Sequence, residues 1–181
     1  MNARPSYLFT ERKLSEHIHH ILQNVQSTVD QIPKDQFLAS LDRDLREHLY
    51  QSLSIESLIL HVDRAVMEQG ETRFNVQDYG QVFNIPGTRV DIEIPFTGPT
   101  LLWKHQPSTF STPPIAEVGT DSQRQQVLRI TIQKRQNTDP IQFRDDYQRT
   151  LDQIQRYLVW INNDVAGLNR QLPEYIDRAI T

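Results

Sequence analysis

The stretch that decides the fold is 139–181, which reads DPIQFRDDYQRTLDQIQRYLVWINNDVAGLNRQLPEYIDRAIT. Its apolar side chains recur every three or four residues, so they share one face of a helix. The members of this apolar seam are Tyr147, Leu151, Ile154, Leu158, Ile161, Val165, Leu168 and Leu172. A stripe of about seven turns predicts a helix that packs against another helix or a sheet along its whole length.

Length and composition indicate one globular domain covering residues 1–181. A chain of this size buries a substantial core without metal or disulfide crosslinks. The net charge is −4, and the sequence contains no cluster of Lys and Arg. Proteins that bind nucleic acids obtain much of their affinity from clustered cations, so a nucleic-acid partner is not expected.

The chain contains no cysteine, which excludes disulfides, thiolate nucleophiles and cysteine-ligated metal sites. The first ten residues lack the apolar segment of a secretion signal, and no window approaches the eighteen apolar residues of a membrane span. These features predict a soluble, cytoplasmic protein with no membrane association.

Two helical patterns precede the middle of the chain. The first begins after Thr10, a candidate N-cap, and ends before Pro33, with apolar residues at three- and four-residue steps. The second spans residues 34–52 and is also amphipathic. We expect the first helix to dock on the C-terminal seam.

Alternating apolar residues in the middle of the chain predict antiparallel strands. Residues 58–66 and 72–76 are interpreted as a hairpin whose turn lies at Gly70. Residues 89–96 show the clearest alternation, and residues 127–134 repeat it. The predicted fold class is α+β: N-terminal helices, an antiparallel sheet of three to five strands and a long C-terminal helix.

A proline-rich segment, 95–114, holds five of the ten prolines and is predicted to be an extended loop. Trp103, His105 and Phe110 lie in this loop and are the candidate binding residues. The two aromatic residues suit either an anchor in a partner's pocket or packing beneath the loop, and packing is favoured.

Two groups of side chains could hold a metal ion. The first helix carries Glu16, His17, His19 and His20. The strands carry the pairs His61 with Asp63 and Asp91 with Glu93, and paired strand carboxylates are typical of magnesium-dependent nucleases. Solvated histidines and cross-strand pairing of the acids with arginine are the favoured explanations of the two groups, so no metal, cofactor or catalytic residue is predicted.

Short blocks through residues 10–180 resemble an uncharacterised bacterial region that stands before restriction-endonuclease-like or TIR-type effector domains in defence proteins. The blocks include LHVDR at 60–64, PGTR at 86–89, IPFTG at 94–98, QPSTF at 106–110 and LNRQL at 168–172. Two departures stand out: the chain ends at Thr181, before any effector residues, and Pro99-Thr100 follow Gly98 where the family pattern has an acid.

The resemblance and the loop together predict a non-catalytic interaction or sensor module, an accessory part of a bacterial defence-type system. Its partner would be another protein, or a second copy bound through the long helix. The alternative is a metal-dependent hydrolase or nuclease that uses the strand carboxylates.

Overall fold

The computed structural model describes residues 6–39 and 42–180. The helices are α1 (Leu14–Asp30), α2 (Lys34–Ala39), α3 (Asp42–Leu53) and α4 (Pro140–Ile180). The strands are β1 (Ser6–Tyr7), β2 (Arg12–Lys13), β3 (Ile59–Leu60), β4 (Val66–Asp78), β5 (Gln81–Thr97), β6 (His105–Gln106), β7 (Ile115–Thr120) and β8 (Gln126–Arg135). The predicted α+β class is confirmed.

The long C-terminal helix is confirmed, with its predicted cap. The Asp139 carboxylate accepts a 2.9 Å hydrogen bond from the backbone N–H of Ile141, next to Pro140 in the first turn. Along the 41 residues of α4, every predicted seam residue from Leu151 to Leu172 is buried. Tyr157 and Ile176 extend the same buried face.

The main sheet is antiparallel, with strand order β1-β7-β8-β5-β3 and β4 beside the earlier part of β5. It therefore has six strands among the residues described, one more than the upper limit predicted. The unpredicted strand is β1, which has two residues and is too short to show alternation. A second, parallel pair joins β2 to β6.

The hairpin in the middle of the chain was placed wrongly by the sequence pattern. Gly70 lies inside β4, and the turn falls at Tyr79 and Gly80, whose φ angles of 46° and 78° are both positive. A two-residue turn with positive φ at both positions matches the twist of its strands, so the chain reverses there. The expected strand 58–66 is instead β3 followed by a 3₁₀ turn, Val62–Arg64.

The N-terminal helix begins later than predicted. Thr10 donates its hydroxyl to the carbonyl of Tyr7 and caps no helix, and α1 starts at Leu14, after β2. The second helical pattern is observed as α2 and α3, with residues 40–41 between them outside the described part.

Two apolar cores meet along α4. Its first half covers one face of the sheet, where Ile154 and Ile161 join Ile92, Ile94 and Leu128. Its second half packs with α1 and α3 in a separate helical core; the fully buried members are Val25, Val29, Leu45, Leu49, Leu168, Leu172 and Ile176. The apolar seam therefore packs against the sheet along its first half and against α1 and α3 along its second half.

Candidate interaction surface

Trp103 is a core residue. It belongs to the 3₁₀ turn Thr100–Lys104, and 1% of its surface is exposed. Its ring lies 5.4 Å from Phe9 and 5.2 Å, edge to face, from Phe96, measured between centroids. These contacts assign Trp103 to packing beneath the loop rather than to a recognition surface.

His105, the second candidate binding residue, is also buried, with 3% of its surface exposed. Its Nδ1 lies 2.9 Å from the carbonyl oxygen of Leu101, and its ring stands 5.1 Å from that of His17. Burial, followed by the neighbouring His105 and His20, lowers the pKa of His17. Because its side chain is buried and lies against the backbone of Leu101, His105 is a packing residue beneath the loop.

Phe110 is the candidate in the loop that remains exposed, at 60% of its surface. The loop around it is held by α4. Asp164 accepts hydrogen bonds from the backbone N–H and the hydroxyl of Ser108, at 2.7 and 2.6 Å. Tyr157 donates to the carbonyl of Ser111 at 2.6 Å. These hydrogen bonds hold the loop against α4.

The strand acids of β5 are engaged by arginines on the face of the sheet away from α4. Arg89 Nε donates to Asp91 at 2.7 Å, and Thr131 donates to the other carboxylate oxygen. Burial alone would raise the pKa of Asp91, but these hydrogen bonds hold it below its usual range.

Arg129 on β8 completes this polar face. It donates to Glu93 on one neighbouring strand and to Glu117 on the other, the latter at 3.0 Å. The hydrogen bond with Glu93 is the main cause that raises the pKa of Arg129. Glu93 is thus paired with arginine across strands, whereas Asp91 is paired with Arg89 of its own strand and with Thr131 across strands. These contacts account for both acids without a metal ion.

The remaining metal candidates are dispersed. His61 and Asp63 do not share a strand, because residues 62–64 form the 3₁₀ turn. His19 and His20 are exposed on α1, whereas His17 is half-buried against the loop. Over residues 6–39 and 42–180 no three His, Asp or Glu side chains gather in a geometry that could hold an ion.

A groove of about 520 Å³ separates β4 from the start of α4. Its walls are mainly apolar, with Arg144 and Gln69 at polar positions; the apolar walls include Ala65, Met67, Val90, Ile92, Ile132, Pro140, Phe143 and Tyr147. The groove exists because α4 crosses β5 and β8 but leaves the same face of β4 uncovered. Burial raises the pKa of Tyr147 beside it.

The hairpin of β4 and β5 projects beyond the rest of the sheet. Strand β8 ends at Arg135 opposite Gly87, so the strand pairs of residues 73–86, which we name the hairpin arm, are all within the arm. At its base the carbonyl of Pro86 also accepts a hydrogen bond from the backbone N–H of Gln136, at 3.2 Å. Apolar side chains on the arm are open to solvent: Tyr79 is 100% exposed, Val82 65% and Phe83 48%. An apolar surface on a projecting element is typical of an interaction site.

Strand β4 is an edge along its whole length. Its thirteen residues pair with β5 on one side, in a single register without a bulge, and no described strand adjoins its other side. In a two-residue hairpin the residues flanking the turn form a hydrogen-bonded pair. The odd-numbered residues of β4 therefore direct their backbone N–H and C=O groups toward the open edge.

No helix in the described ranges has the length and apolar character needed to cross a bilayer. Comparison of the chain with protein-family models, curated proteins and solved structures gave no match.

Sequence reasoning missed the arm and its open edge. The available signal was the Asp78-Tyr79-Gly80 turn, which would have extended both strands past the alternating segments. It also missed two clamps from α4, in which the side-chain amides of Asn162 and Asn169 each bond both backbone groups of one residue, Leu58 and Ile55 respectively.

Proposed function

We propose that this chain is a non-catalytic protein-interaction module whose recognition surface is the hairpin arm together with the open edge of β4. The observation that carries the proposal is a thirteen-residue edge strand whose turn and partner strand carry solvent-exposed apolar side chains. Such an edge offers main-chain hydrogen bonds for affinity and alternate side chains for specificity.

The edge lacks three of the features that keep sheet edges from pairing and has a fourth, charged side chains, at Glu68, Glu71, Arg73 and Asp78. Proteins usually shorten an edge strand, bulge it, or place Pro or Lys on it. Strand β4 is long, unbulged, and contains neither residue type. An edge of this length that only charged side chains protect is a hazard unless it is used, which favours a binding role.

The location differs from the association through the long helix that the sequence suggested. The apolar seam of α4 is buried within the chain itself, against the sheet and in the helical core, so it is not available to a partner. The large apolar residues left exposed on α4, Ile141 and Val159, are separate from each other and form no stripe. The binding surface is therefore assigned to the arm.

A metal-dependent hydrolase fits less well. That mechanism needs carboxylates free to ligate a cation, and the two acids of β5 are already bound by arginine. We also propose that the module is an accessory part of a bacterial defence-type system in the cytoplasm. The sequence resemblance is the support for this role.

Site-specific photo-crosslinking tests the proposal. p-Benzoylphenylalanine replaces Val82 on the arm or, as the matched control, Val159 on α4, a valine of similar exposure. After irradiation of cells that express the chain, position 82 should give an adduct of one discrete mass and position 159 none. Adducts from neither position, or equally from both, would contradict recognition by the arm.

A further inference from the structure

We infer that the occupant of the open edge is a second copy of this chain, paired antiparallel through β4 with Thr72 on the two-fold axis. The inference rests on the proposed function, since it uses the same edge and names the partner. It assigns residue-by-residue contacts, so it makes its own predictions.

Symmetry limits the registers available to such a pair. Two identical edge strands that continue one sheet are related by a two-fold axis perpendicular to it, so each residue meets one on the same face. Opposed residue numbers must then add to an even number. The midpoint of Val66–Asp78 is Thr72, and centring the axis there pairs all thirteen residues of β4.

Charge selects this register over its neighbours. Glu71 and Arg73 lie on one face of β4, and neither forms an ion pair within the part of the chain that the structure describes. With Thr72 on the axis, Glu71 lies opposite Arg73 of the second copy, twice over. Moving the axis one residue either way sets Glu71 against Glu71, or Arg73 against Arg73, and like charges directly opposite are destabilising.

The other face of β4 agrees with the same register. A Cβ built on Gly70 would have no neighbour within 4 Å, so the strand is bare there. Thr72 at the centre places Gly70 opposite Phe74 of the second copy, in a pair without backbone hydrogen bonds, where side chains approach most closely. Within its own chain the ring of Phe74 lies over Gly87 of β5, so Gly70 contributes open space for the second copy rather than a contact with that ring.

A cysteine at position 72 tests the register directly, because the native chain contains none. Opposed residues in a non-hydrogen-bonded antiparallel pair have Cα atoms about 4.5 Å apart, within the range a disulfide bridges. Thr72→Cys should form a disulfide-linked dimer under mild oxidation. The matched control, Glu68→Cys, lies on the same face, but its two copies would be roughly 25 Å apart along the strands, so it should remain unlinked.

Charge exchange gives a test that leaves the fold unaltered, because Glu71 and Arg73 are exposed. By sedimentation equilibrium, Glu71→Arg should weaken the dimer about tenfold. The double variant Glu71→Arg with Arg73→Glu should return the dissociation constant to within about threefold of wild type.

A wild-type chain that stays monomeric, or a disulfide that forms through position 68 instead of 72, overturns the inference. The two failures are distinguishable. A discrete adduct between position 82 and a different protein, from a monomeric chain, overturns self-pairing and retains the interaction module. Neither adduct nor dimer overturns both.

Discussion

Strand β5 passes through two environments that differ sharply. From Val90 to Glu93 it lies between β4 and β8 beneath α4, and its inward side chains Val90 and Ile92 are buried. From Gln81 to Pro86 it has β4 alone beside it, and Val82 and Phe83 remain exposed. The same backbone conformation thus gives core in one half and free surface in the other, because burial depends on what covers the strand.

The contrast separates stability from recognition. The body of the domain, where α4 meets the sheet and α1, holds the apolar burial that drives folding. The arm holds little of it and can be altered with small thermodynamic cost. The predictions below test this division, in decreasing order of expected effect.

The largest effect is expected in the seam. Ile161, which is 0% exposed, lies on the side of α4 that faces the sheet and belongs to the core between them. Ile161→Asp places an unpaired charge there and should cost about 3 kcal/mol or more, enough to unfold much of the population. Val159→Asp, on the exposed face of the same helix, should unfold like wild type in urea. Equal melting of both variants would contradict the burial of the seam.

Substitution of the two aromatic residues of the loop, Trp103 and Phe110, should also differ in its cost to stability. Trp103→Ala removes a ring packed between Phe9 and Phe96 and should cost about 3–5 kcal/mol. Phe110→Ala should change the free energy of unfolding by less than about 0.5 kcal/mol. Chemical denaturation monitored by far-UV circular dichroism measures both. A large cost at Phe110 would mean that the loop packs differently from the structure.

Two of the glycines in the hairpin differ in what surrounds them, and one of them, Gly87, lies where the pairing with β8 ends. A Cβ on Gly87 would lie 2.6 Å from the carbonyl oxygen of Lys134 and 2.4 Å from the ring of Phe74, whereas one on Gly70 meets open space. Gly87→Ala should therefore cost about 1–3 kcal/mol. Gly70→Ala should be close to neutral in thermal unfolding. Similar melting temperatures for the two would show that strand β8 yields easily at its end.

The smallest effect concerns pH. Because the pKa of His17 is lowered in the folded state, the unfolded chain binds more protons as pH falls through the ordinary value of 6.5. Stability should therefore decrease on acidification. Between about pH 7.5 and 5.5 the wild type should lose more stability than His17→Gln, by urea denaturation at each pH. Parallel pH profiles would remove His17 as the cause.

The sequence alone predicted the helices and strands whose apolar residues recur at regular spacing. The three- and four-residue steps from Leu151 to Leu172 identified α4, and Asp139-Pro140 located its start, because amphipathic period and capping are properties of neighbouring residues. The alternation of Val90, Ile92 and Ile94 gave the central strand for the same reason.

Tertiary structure alone decided what those elements met. The sequence favoured packing for Trp103 without excluding a binding role, and it named His105 as a binding residue. The contacts that bury them come from Phe9 and His17, which are distant in the chain. Gly70 became strand because β5 pairs with it, overriding its usual use in turns. The open edge of β4 is likewise invisible in sequence, since an edge is defined by the neighbour that is missing on one side. Burial and pairing depend on residues far apart in the chain, which is why periodicity fixed the elements and packing fixed the surface.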